Sequence, residues 1–245
     1  MKYFTQTKLG CFICAGLVFA GCGSKTQTEA TPAKMVCHVE TQALDIRDNG
    51  KGRDLAESIL LADIKRTPTM IAYGPALNPK AEITVLDGKY YLTEPDGVNT
   101  KTSHTPAEGQ AATFMVSASA GAWMDGAVML EAKDLQDISS AISRYAVANG
   151  CDGNAVFPYK IKAHAKHMTW SISGSPKSMK GTLNDVDIII VGLFDNSGKP
   201  RNAIMSGLDI HPHFVIPSLN MSGHLNAVEL APGAILYVPQ ETHIQ

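Results

Sequence analysis

Gly207-Leu-Asp-Ile-His-Pro-His-Phe-Val-Ile-Pro-Ser-Leu-Asn-Met-Ser-Gly-His224 is the stretch around which the rest of the chain is organised. His211 and His213 stand two apart in an apolar run with strand character, and alternation on a strand sends both imidazoles to one face. Pro217, Ser218, Asn220 and Ser222-Gly223 form a turn-rich cluster. A return strand from about Leu225 to Leu230 then runs back beside the first, bringing His224 within reach of the pair. Three neutral imidazoles leave a fourth position open on a zinc-type ion, which is the catalytic rather than the structural arrangement. The opposing reading is a His-x-His that falls by accident on a surface strand.

Outward from this hairpin, most segments read as strands. Asp185 to Phe194 is a near-continuous apolar run suited to burial on both faces. Val156 to His164 and Thr169 to Ser173 alternate as two strands, and Ala234 to Val238 is the last. Upstream, Met35 to Val39, Thr69 to Tyr73, Glu82 to Leu86, Lys89 to Thr93 and Ala112 to Ala118 are expected strands. Residues 74–79 are expected as a loop, with turns at Asp87-Gly88 and Pro95-Asp96-Gly97. Two segments carry helical spacing. Asp54 to Lys65 is closed by the following Pro68, and Asp134 to Asn149 has Leu135, Ile138, Ile142, Tyr145 and Ala146 on one side and Gly150 at its end. The expectation is an α+β fold of mixed β-sheets with two main helices, filling residues 35–245 as two tightly joined subdomains.

The N-terminus has Lys2 and Lys8, an apolar run from Leu9 to Ala20, and then Gly21-Cys22. Residues 1–21 read as a lipoprotein signal peptide, with Phe19-Ala20-Gly21-Cys22 as the lipobox and Cys22 as the lipidated residue. Residues 22–34 are poor in apolar side chains and read as a flexible tether. An exported, membrane-anchored protein is expected, on the periplasmic face of the outer membrane in a Gram-negative cell. Cys37 and Cys151 remain beyond the signal, either as one disulfide or as two separate buried thiols. A formal net charge of −2 with scattered Lys and Arg argues against a nucleic-acid partner. Glycine-rich phosphate loops, a Gly-x-Ser-x-Gly elbow and a Cys-x-x-Cys pair beyond the signal are all missing, so nucleotide, serine-hydrolase and thioredoxin chemistry lack support.

Ile210-His-Pro-His-Phe214 with Gly223-His224, the segment Ala81-Glu-Ile-Thr-Val-Leu-Asp-Gly88 followed by Tyr90-Tyr91, and Ile161-Lys162 between them resemble the α-acetolactate decarboxylase family, in that family's order. The resemblance spans about Ala56 to Val238. It implies a zinc lyase that removes the carboxylate of a small 2-hydroxy-3-oxo acid, 2-acetolactate, to give acetoin, with His211, His213 and His224 as ligands. Loss of carbon dioxide leaves an electron pair beside the ketone, and stabilising that charge is the main demand on the protein. Glu82 falls on the family's glutamate and is implied as the proton donor. The family's arginine is matched by Lys162, or by Lys160 with a differently placed gap, and lysine lacks the planar fork of arginine. The family's enzymes send a longer C-terminal tail with another carboxylate into the site; here Leu225 to Gln245 follow the last histidine, and either Glu241 serves or nothing does. The resemblance also implies a homodimer. The alternative is a non-catalytic metal- or small-acid-binding envelope lipoprotein on the same fold.

Of the remaining histidines, His164 and His167 flank Lys166 near Trp170, and surface strand residues are the expected reading against a second metal or pH-sensitive site. Trp123 and Trp170 are expected in the core or in a pocket wall.

Overall fold

The computed structural model describes residues 34–45, 59–77, 79–129, 131–174, 177–198, 205 and 207–241. The expected signal peptide, Cys22, most of the tether and His243 lie outside them. In Ala33–Gln245, a single compact unit, two antiparallel sheets pack on each other.

The first sheet holds β1 (Thr41–Asp45), β2 (Ile59–Leu60), β3 (Met70–Leu77), β4 (Ala81–Leu86), β5 (Lys89–Asp96), β6 (Asn99–Ser103), β7 (Ala111–Ala112) and β8 (Phe114–Ser119). Its main path runs β1-β8-β3-β4-β5-β6. Asp87 and Gly88 close the β4–β5 hairpin with φ of 49° and 74°, the left-handed backbone that a two-residue turn of this type demands. Alternation then divides β4. Ala81, Ile83 and Val85 join a core with Leu61, Met70, Tyr90 and Leu92, while Glu82, Thr84 and Leu86 turn to the second sheet.

The second sheet holds β9 (Ala122–Met129), β10 (Val156–Ile172), β11 (Met179–Asp195), β12 (Ile210–Ile216), β13 (Met221–Leu230) and β14 (Ala234–Gln240). Strands β10, β11, β12 and β13 pair around a closed ring, since β10 meets both β11 and β13. Phe157, Tyr159, Ile161, Ile190, Phe214 and Leu225 share a core with one face of α1 (Leu135–Ala148), which supplies Leu135, Ile138, Ile142 and Ala146. Asp134 caps that helix by accepting from the Asp137 N–H at 2.9 Å, and Asp137 reaches back to accept from the Lys133 N–H. Gly192 lets strands approach closely, because a Cβ there would stand 2.6 Å from the Tyr159 hydroxyl and 2.7 Å from the His211 carbonyl.

Several expectations are corrected. Among the described residues there is one α-helix, α1. The segment expected as the other helix is described from residue 59 and runs as β2 and a single 3-10 turn, Leu61–Asp63. Tertiary partners take the backbone groups that a helix would use. Leu60 pairs with Ala111, the Leu61 N–H donates to Gln110, and the Leu61 carbonyl accepts from the Tyr90 hydroxyl. Among the described residues every strand pairing is antiparallel instead of mixed, with short hairpins joining β3–β4, β4–β5, β5–β6 and β12–β13; an isolated bridge, His38 to Val156, is parallel. Residues 74–77 continue β3 instead of looping. The two strands expected over 156–173 are one, β10, whose register shifts near Ala165 and Thr169 break the alternation. Met35 to Val39 makes isolated bridges rather than a strand.

Cys37 and Cys151 are joined, with Cα atoms 5.4 Å apart across a sequence separation of 114 residues. Closing so long a loop restricts the unfolded chain strongly. Replacing both cysteines by serine is expected to lower the unfolding free energy by about 2–4 kcal/mol. Urea unfolding checks this, and an unchanged midpoint and slope would contradict it.

Candidate metal centre

His211 and His213 project from β12 on the face that meets the first sheet, and register brings in the third histidine. His213 is the direct cross-strand partner of His224 on β13. The ring centroids stand 5.6 Å (His211–His213), 4.9 Å (His211–His224) and 5.4 Å (His213–His224) apart. A tetrahedral ion bound at about 2.1 Å to each imidazole nitrogen requires centroids about 5.2 Å apart. The three spacings bracket that value. Among the described residues no group of three or more His, Cys, Asp or Glu side chains, these imidazoles included, is drawn together closely enough to hold an ion as it stands, so the rings match an ion in centre-to-centre spacing only.

Polar neighbours orient two of the rings. His213, which is 1% exposed, has Nδ1 3.1 Å from Thr84 Oγ1. His224 Nδ1 lies 3.0 Å from Asn226 Oδ1, an acceptor, so the proton sits on Nδ1 and the lone pair on Nε2. Such partners of the non-ligating nitrogen are what a metal-binding imidazole needs. Burial, helped by the neighbouring His224 and His211, holds His213 well below the ordinary histidine pKa. His224 is also lowered by burial, partly offset by Asn226. The neutral form is the ligating form.

Glu82 and Thr84, two apart on β4, reach the same imidazole. Glu82 Oε1 is 3.7 Å from His213 Nε2, and Glu82 Oε2 accepts from the Ser173 N–H at 2.9 Å. Burial pushes the Glu82 carboxyl up to about 7 against the opposing pull of Ser173, and a bound cation would pull it down. Tyr73, on β3 opposite Thr84, lays its ring against both His211 and His213. Thr84 could have been found by its i, i+2 spacing from Glu82. Asn226 could have been found in the same way by its spacing from His224, whereas Tyr73 and Ser173 carried no sequence signal, because the packing of distant strands brings them in.

The lysines are placed differently. Lys160 is buried and donates to both carboxylate oxygens of Asp87 at 2.9 Å. Its ammonium stands 4.7 Å from the centre of the Trp123 ring and 5.5 Å from that of Tyr237. Trp123 also donates its indole N–H to Asp87. Lys162 is exposed, 5.0 Å from the centre of the Tyr237 ring. The cation expected at the histidines is thus committed to a tie between the β4–β5 turn and the second sheet. Glu241 pairs with Lys34 at the surface. His164 and His167 are exposed strand residues beside Asp187 and Asn184. Trp170 is core, and Trp123 is the wall beside Lys160.

No protein-family profile matches the sequence, and no curated protein matches it. Solved structures do resemble the fold. A protein of unknown function similar to α-acetolactate decarboxylase, from Staphylococcus aureus, is similar with a TM-score of 0.50 and 16% identity over 72% of this chain and 74% of that one. α-Acetolactate decarboxylase from Bacillus subtilis strain 168 gives a TM-score of 0.53 and 16% identity over 75% and 78% of the two chains. Acetolactate decarboxylase from Bacillus subtilis subspecies spizizenii gives 0.53 and 16% over 74% and 78%. The chain therefore has the fold of the α-acetolactate decarboxylases.

Proposed function

We propose that this protein is a zinc-dependent carboxy-lyase that converts 2-acetolactate, or a closely similar 2-hydroxy-3-oxo acid, to acetoin or its counterpart. One observation carries the reading: the rings of three histidines stand 4.9 to 5.6 Å apart, centre to centre, with the Glu82 carboxyl beside His213 on the same face. His211, His213 and His224 hold the ion. When bound, zinc supplies Lewis acidity toward the ketone and hydroxyl oxygens of the substrate. Thr84 and Asn226 fix the two imidazoles they touch. Tyr73, Val191, Val215 and Leu193 wall the face and exclude water. The carbon–carbon bond to the carboxylate breaks, carbon dioxide leaves, and the electron pair stays on the carbon beside the ketone. Glu82 keeps Oε2 on Ser173, which leaves Oε1 to carry the proton to that carbon. Export and lipidation at Cys22 complete the reading, and the Cys37–Cys151 bond supports an oxidising compartment.

A second reading, a non-catalytic binding protein on this fold, is favoured by the pairing of Lys160 with Asp87. Zinc analysis and an acetoin assay on the purified protein decide between them. Turnover supports the first reading; a zinc-loaded protein without turnover, yet with a thermal shift on a small 2-hydroxy or 2-oxo acid, selects the second. A strong chelator is expected to stop turnover and lower Tm by about 5–10 °C, both restored by zinc. A Tm indifferent to chelator and zinc would sink the metal assignment.

A further inference from the structure

Side chains two apart on a strand stand roughly perpendicular to it, about 6.7 Å from each other. The rings of His211 and His213 are drawn in to 5.6 Å. Tyr73 lies against both, with centroids at 4.8 Å and 5.0 Å and planes tilted by 32° and 27°. It comes from the other sheet, is 1% exposed, and meets the backbone of Leu193 through its hydroxyl. Leu193 is the cross-strand partner of His211. The ring is anchored by its own backbone in the first sheet and seated by packing against the two imidazoles of the second, with the hydroxyl contact a lesser tie. His224 closes the third side edge-on, at 83° and 81° to the other two imidazoles.

We propose that Tyr73 is a positioning residue: an aromatic plate spanning the two sheets that holds His211 and His213 at ion-binding separation. The role rests on the reading of the three histidines as metal ligands. Offset aromatic contact favours this arrangement of neutral rings, and the narrow gap between the sheets leaves the imidazoles little freedom to splay. Tyr73 is assigned the placing of the two imidazoles, so its effect is read on metal affinity and ligand geometry.

The test is titration of the metal-free full-length protein with cobalt alone, read by the visible ligand-field band. The parent is expected to give the intense band of four-coordinate cobalt. Tyr73→Phe keeps the ring and is expected to match the parent band, with affinity within about twofold. Tyr73→Leu removes the plate and is expected to bind cobalt about 10–100-fold more weakly, with a weaker band and unchanged far-UV circular dichroism. If the leucine variant folds poorly, Tyr73→Met fills the space with a flexible thioether and serves in its place. A non-aromatic variant with parental affinity and band overturns the role of Tyr73 alone, as does a Tyr73→Phe loss equal to that of leucine. A parent that binds no cobalt overturns both this inference and the metal reading beneath it.

Discussion

His211→Ala is expected to leave a folded protein that no longer retains zinc and forms acetoin at least about a thousandfold more slowly. Two imidazoles cannot hold the ion as three do, and the charge that develops on decarboxylation then loses its main counterweight. His211 is the better choice than His213 for separating metal loss from unfolding. It is half-buried, whereas removal of the buried His213 would leave Thr84 and Glu82 facing an unfilled space. Metal content by elemental analysis, turnover by acetoin assay and the fold by circular dichroism are read on one preparation. Equal zinc and equal turnover in variant and parent would remove this histidine from the site.

Glu82→Gln is expected to keep parental zinc content and lose turnover by a factor of about 10²–10⁴. Glutamine preserves the shape of the side chain, and its amide oxygen can still accept from the Ser173 N–H, so the β4 strand and the backbone at Ser173 stay joined. What it lacks is a proton to give. KM is expected to change little, because the loss falls on a step after binding. Parental turnover in this variant would reduce Glu82 to a buried carboxyl that ties two strands together. The pair of variants separates the two halves of the proposal: one removes the ion, the other leaves it and removes the proton donor.

The histidine hairpin shows how much was legible in the sequence. Strand alternation put His211 and His213 on one face, and the turn residues between Pro217 and Gly223 foretold the return of His224. Helix α1 was equally plain, since its apolar spacing and terminal Gly150 agree with one another. The 59–65 segment was misread because apolar spacing records burial without saying which backbone partners will compete for it. The edge strands β1, β6 and β9 were missed. Asn99–Ser103 is polar and Ala122–Met129 is rich in small residues, so neither displays the alternation by which a strand is recognised.

By itself the sequence determined that His211 and His213 share a face and that a hairpin returns His224 beside them, because these depend on contacts within some fifteen residues. Tertiary structure alone decided what surrounds them. The packing of the two sheets set Tyr73 against two imidazoles, delivered Glu82 and Thr84 to His213, and turned Lys160 to Asp87 and away from the role that its position in the sequence suggested. Those partners lie 73 to 140 residues apart along the chain, and no local pattern carries the register and inter-sheet packing that choose between a ligand pocket and an ion pair.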